Sequence, residues 1–190
     1  MTTQATVSQR LSSWAVNLDL DQIPQVVRHA ASRHLLDGVG LAIAAHRLNA
    51  AQAACTVART LSNPAGVRMV GGDELLAVPG AALANGVLVH ALDFDDTHAK
   101  GLVHATAVTL PAAFAVGQSV RASGAEVLMA AIIGYETVCR VASATPHGFH
   151  ARGMHATSVS GALAAALITN RLQGSTAEIA ANGLGIAAST

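Results

Sequence analysis

Apolar positions recur at helical spacing along almost the whole chain. Val7, Leu11, Trp14 and Ala15 form a first stripe that ends near Asn17. A second stripe of Ile23, Val27, Ala30, His34, Leu35 and Leu41 predicts a longer helix to about Arg47, with Asp21 as its N-cap and Pro24 in its first turn. A further helix is predicted over Ala50–Leu61. Asn63, Pro64 and Gly66 then break the chain, and Val67–Val70 is the one extended segment the pattern supports. Leu75–Phe94 is again helical in pattern, with Pro79, Gly80 and Gly86 marking a kink or a tight helix contact.

The second half is more strongly patterned. Thr106–Arg121 reads as a buried helix. Ser123 and Glu126 form a capping box that opens the next one, whose stripe is Leu128, Ala131, Ile132, Tyr135, Val138 and Cys139 and which stops before Pro146. After a loop rich in glycine and histidine, Ala156–Leu172 is a small-residue helix closed by Gly174, and Ser175 with Glu178 makes a second capping box. The last helix runs toward Thr190 without a stop signal, and Gly183–Thr190 still reads as packed interior, so the chain is expected to be the front part of something longer. The fold class expected is all-α, as one unit over residues 1–190.

Composition narrows the function. Of 190 residues, 52% are hydrophobic and 12% charged, which supplies a buried core and excludes disorder. Eleven basic and eleven acidic residues cancel, so no bulk field attracts nucleic acid or an anionic membrane. The aromatics Trp14, Phe94, Phe114, Tyr135 and Phe149 are too few for a base-stacking platform. Cys55 and Cys139 lie far apart in apolar contexts and are expected to be free thiols, which fits a cytoplasmic setting. The N-terminal stretch lacks the basic start and apolar core of a secretory signal, and the apolar runs fall short of a membrane span.

Two clusters carry candidate chemistry. In His90-Ala91-Leu92-Asp93-Phe94-Asp95-Asp96-Thr97-His98, with His104 following, a continued helix would place His90, Asp93 and Thr97 on one face and aim a carboxylate and a hydroxyl into one pocket. Asp95 or Asp96 could instead end one helix and cap the next. In His147-Gly148-Phe149-His150-Ala151-Arg152-Gly153-Met154-His155-Ala156-Thr157, glycines let the backbone approach a ligand and imidazoles titrate near neutral pH. The helix that follows adds its positive end, which suits an anion. Asp93, Asp96, His98, His104 and His155 could also ligate zinc or iron, but their spacing matches no established ligand motif, and no metal or organic cofactor is expected. General acid–base chemistry remains.

The run Leu92-Asp93-Phe94-Asp95-Asp96-Thr97-His98 with His104, and Gly153-Met154-His155-Ala156-Thr157 leading into an Ala/Gly-rich helix, resembles the MmgE/PrpD family, as do Leu36-Asp37-Gly38 and Gly183-Leu184-Gly185-Ile186-Ala187. That family includes 2-methylcitrate dehydratase, cis-aconitate decarboxylase and iminodisuccinate epimerase. The resemblance implies an N-terminal helical domain, a site between it and a smaller α+β domain, a homodimer, and no cofactor. It implies active-site roles for Asp93, Thr97, His104 and His155. Asp93 and Thr97 would orient substrate or an imidazole, His104 would be an acid–base or carboxylate-binding group, and His155 would face the reacting carbon. His98 and Thr157 would contact the substrate. Ala105 and Ala156 stand where the family has proline. The family's basic segment, second (lid) domain and C-terminal helices have no counterpart before Thr190, and Lys100 is the single lysine of the chain.

The reading is therefore the N-terminal part of a cofactor-independent lyase or epimerase acting on a small polycarboxylate, without nucleic-acid or membrane partners. Two alternatives stay open: a truncated, non-catalytic helical dimerisation module, and, more weakly, a metal-dependent hydrolase.

Overall fold

The computed structural model describes residues 4–62 and 66–189. Among them are eight α-helices and one two-stranded sheet, so the all-α expectation holds. Helix α1 spans Val7–Asn17 and opens on a capping box between Thr6 and Gln9, which the apolar pattern does not reveal. Helix α2 spans Gln25–Arg47. Asp21 does not cap it. Asp19 instead caps a 3-10 turn over Leu20–Gln22, and Pro24 takes the N-cap place of α2, where its missing N–H costs nothing. Helix α3 is Gln52–Thr60. Of the residues expected to break the chain after it, Asn63 and Pro64 lie outside the described residues.

The segment expected to be one helix from Leu75 to Phe94 differs most. Leu75–Leu76 is a strand, β2, paired antiparallel with β1 at Val67–Arg68 in the register Val67↔Leu76 and Arg68↔Leu75. Helix α4 then runs only over Val78–His90, with Pro79 in its first turn. A two-residue strand has no periodicity of its own; its partner across the turn defines it. Gln118 secures β1 from the other side, accepting the Arg68 N–H and donating to the Arg68 carbonyl.

Helix α5 spans Ala105–Val120, α6 Gly124–Ala144, α7 Ala156–Leu172 and α8 Ala177–Ala187. The Ser123–Glu126 capping box opens α6 as expected, and Ser123→Ala should lower stability by about 1 kcal/mol in a denaturant titration. At α8 the cap is Thr176, which accepts the Ile179 N–H, in place of the expected Ser175–Glu178 box. Ser175 instead closes α7. Gly174 (φ +67°) and Ser175 return their N–H groups to Arg171 and Asn170, a Schellman ending in which the left-handed position suits glycine. Thr190, toward which α8 runs, lies outside the described residues.

The packing centre is α5, which contacts α2, α4, α6 and α7. Neighbours come close because they present glycine there. A Cβ on Gly38 of α2 would lie 2.6 Å from the Thr106 methyl, and one on Gly161 of α7 would lie 2.8 Å from a Val108 methyl. Helix α6 is long and apolar enough to cross a membrane by length and composition alone, but half of that window is buried inside the bundle, as in a core helix. Its Ile133 and Val138 are fully enclosed.

Candidate functional site

Three histidines stand at three helix ends. His90 is the last residue of α4, His104 the N-cap residue of α5, and His155 the N-cap residue of α7. A cleft of about 650 Å³ opens between these helices. Its walls are largely small and apolar, including Gly86, Val87, Val108, Pro111 and Gly161, and its polar lining includes His90, His155, Thr157 and Ser158.

Behind His90 lies a carboxylate. The Asp95 side chain is fully enclosed, and its two oxygens lie 3.0 and 3.1 Å from His90 Nδ1. His104 approaches the same carboxylate, Nδ1 to oxygen 3.7 Å, too long for a hydrogen bond, and that nitrogen is buried without a hydrogen-bond partner among the described residues. The rings of His90 and His104 are 4.8 Å apart, centre to centre. His104 is tied to α7 through its backbone, whose N–H donates to Thr157 Oγ1 at 3.2 Å.

The segment between α4 and α5 is a loop, so the helical face expected to unite His90, Asp93 and Thr97 does not form. The chain leaves the helix at His90, and Asp93 takes φ +55°, a left-handed position that Asp tolerates better than most residues. The loop is held by backbone pairing of His98 with Val103 and by Asp96, which accepts the Thr106 N–H at 2.9 Å. Asp96 thus satisfies a free donor at the start of α5, the capping role anticipated for Asp95 or Asp96.

The sequence-derived candidates fall into three groups, two of which line cavities. His155 and Thr157 line the main cleft. Asp93 and His104 join His90 and Asp95 in a cluster whose donor atoms lie within 4.8 Å of one another, and Asp93 itself is exposed. Thr97 and His98 line a second cavity of about 250 Å³ together with His34, Asp96, Tyr135 and Cys139. There the Tyr135 hydroxyl is 2.9 Å from Thr106 Oγ1, and burial holds the phenol well above its ordinary pKa. Burial also pushes the Cys139 thiol up to about 11, so it stays protonated at neutral pH.

The pair that sequence reasoning left outside its site is His90 with Asp95. Nothing in Asp93-Phe94-Asp95-Asp96 distinguishes the three carboxylates; burial does, with Asp95 5% exposed while Asp93 faces solvent. The four clustered side chains are also the group that could hold a metal ion among the described residues. Asp95 already has its two oxygens committed to imidazole.

Chemically, the arrangement offers imidazoles to carry protons, a buried carboxylate to orient them, and a helix N-terminus for an anion. Among the described residues no side chain caps α7, and Thr157 and Ser158 of its first turn line the cleft.

Comparison with known sequences adds independent observations. A family model described as the MmgE/PrpD N-terminal domain matches residues 9–190. The chain is 32% identical over 188 residues to a cis-aconitate decarboxylase of Aspergillus terreus, covering 95% of this chain and 38% of that protein. It is 29% identical over 196 residues to a cis-aconitate decarboxylase-like protein, oryM, of Aspergillus oryzae, covering 98% of this chain and 40% of that protein. The chain thus spans about two-fifths of the length of these relatives.

Proposed function

The chain belongs to the MmgE/PrpD family, whose N-terminal domain it matches, and from that premise we propose that the complete protein is a cofactor-independent lyase acting on a small polycarboxylate by acid–base chemistry. The observation that carries this reading is a cleft lined by His90 and His155, with the enclosed carboxylate of Asp95 and the ring of His104 held against His90. The likeness to cis-aconitate decarboxylases favours decarboxylation of an unsaturated tricarboxylate over the dehydration or epimerisation also known in the family.

In such a step the C–C bond to one carboxylate breaks and carbon dioxide leaves. The released electron pair forms a new double bond, and the pair of the old double bond takes up a proton. His155, at the open mouth of the cleft, is assigned to face the reacting carbon and deliver that proton. His104 is assigned as the second proton carrier. One substrate carboxylate is placed at the uncapped N-terminus of α7, where Thr157 and Ser158 line the cleft. Asp93, exposed in the loop, is assigned to orienting the substrate, whereas Thr97 and His98 line the other cavity and are assigned no contact in this cleft. The apolar walls contribute no cation, so the remaining carboxylates need donors from other parts of the complete protein. The reading carries a homodimer with it, for which exposed Val26 and Leu36 on α2 offer apolar surface, and a cytoplasmic setting, which the free thiols of Cys55 and Cys139 support.

The test is turnover by the complete protein in heavy water, with cis-aconitate, a 2-alkylcitrate and an epimerisable amino dicarboxylate offered in turn. Decarboxylation is expected for cis-aconitate, with one solvent deuteron fixed in the product for each carbon dioxide released. Turnover of none of the three would defeat the proposal. Water loss or racemisation without carbon dioxide would move it to the dehydratase or epimerase branch.

A further inference from the structure

We propose that His90 and Asp95 form a catalytic dyad, in which His90 is a further acid–base residue of the cleft and Asp95 is the positioning residue that fixes its tautomer. The inference rests on the reading above that the complete protein moves protons on a carboxylate substrate. Asp95 is fully enclosed, and both of its oxygens reach His90 Nδ1, at 3.0 and 3.1 Å. An ionised carboxylate only accepts, so the hydrogen bond places a proton on Nδ1 and leaves Nε2 with a lone pair. The His90 side chain is 43% exposed and lines the cleft that also holds His155. One nitrogen is thereby held by the protein while the other is free to exchange a proton with a ligand.

The surroundings support the dyad from every side. Asp95 sits five residues after His90, and the left-handed turn at Asp93 brings the chain back so that the carboxylate meets the end of its own helix. His104 lies 3.7 Å from Asp95 with its Nδ1 buried and unpaired, so the same carboxylate is within charge reach of a second imidazole. When His90 takes a proton at Nε2, the enclosed Asp95 stabilises the resulting imidazolium, and the His104 ring packs beside it. Asp93 is the other ionisable side chain of this cluster, and it is solvent-exposed. Asp95, enclosed and in contact with two rings, is therefore better placed than Asp93 to orient imidazole.

The experiment has two arms, both on the complete protein washed with a chelator. The first reads the tautomer of neutral His90 from long-range proton–nitrogen correlations of its imidazole. The dyad predicts the Nδ1–H form, opposite to the Nε2–H form favoured by free histidine, and a switch to Nε2–H in Asp95→Asn, whose amide can donate to Nδ1. Finding Nε2–H in the wild type, or no change in Asp95→Asn, would overturn the proposal. The second arm is kinetic. His90→Asn is expected to lower kcat about 100-fold with KM within about threefold of wild type. Wild-type kcat in His90→Asn would also overturn it. If the wild type itself turns over no polycarboxylate, the functional reading fails, and the tautomer arm still decides the dyad.

Discussion

Turnover in the complete protein is expected to fall by about 10³-fold in His155→Ala and in His104→Ala, with both variants still folded. His155 is exposed at the N-cap of α7 and its side chain makes no cap hydrogen bond, so its removal should change stability by no more than about 0.5 kcal/mol. A large kinetic loss there isolates chemistry from folding. His104 is a different case. Its ring packs on His90 and its Nδ1 is buried without a partner, so alanine removes packing as well as a proton carrier and should cost about 1 kcal/mol. Its backbone N–H would still reach Thr157, which keeps α5 and α7 in register. Stopped assays for carbon dioxide, read beside thermal melts, separate the two contributions. Near wild-type rates in both variants would remove the acid–base mechanism from this cleft.

Gly38→Val is expected to lower stability by about 1–3 kcal/mol and the melting midpoint by about 3–10 °C. The new Cβ would lie 2.6 Å from the Thr106 methyl and 2.8 Å from a Leu110 methyl, both on α5. Neither neighbour moves cheaply. Leu110 is fully buried, and Thr106 is held by Asp96 through its N–H and by Tyr135 through its hydroxyl. Displacing Thr106 also disturbs His104, two residues earlier, so kcat should fall along with stability. A melt indistinguishable from wild type would show that α2 does not lie this close to α5.

The second half of the fold could be read from its sequence because each helix there carries several agreeing signals. Ala156–Leu172 has apolar spacing, a small-residue face and Gly174 at its end, and α7 has those same bounds. Leu75–Phe94 reads as one helix because apolar residues continue through a strand, a helix and the turn after it without a change of composition. The cap of α8 at Thr176, in place of Ser175, is displaced by one residue among neighbours of similar capping ability, whereas α2 begins after Pro24 and Asp19 caps the 3-10 turn before it. At the site, the histidines and the acidic run stand out by their density alone. Which carboxylate turns inward does not, because that depends on the φ of Asp93, the His98–Val103 pairing and the walls that α5 supplies. The separation of Thr97 and His98 into another cavity is likewise a product of the loop's return path.

The central placement of α5 has a consequence for how the cleft responds to a ligand. Amides on α5 are covered by α2, α4, α6 and α7, so hydrogen exchange there should proceed only through global opening, and the wall that carries His104 is as stiff as the core. The segment that leads into His155 is built differently. Residues 147, 150–155 are exposed and include only one short 3-10 turn, His150–Arg152, so their amides should exchange through small local openings. A ligand entering between the two would spend its ordering entropy almost entirely on the His155 side. Affinity is then tunable from the segment that leads into His155, by exposed residues such as Met154, without touching the helical core.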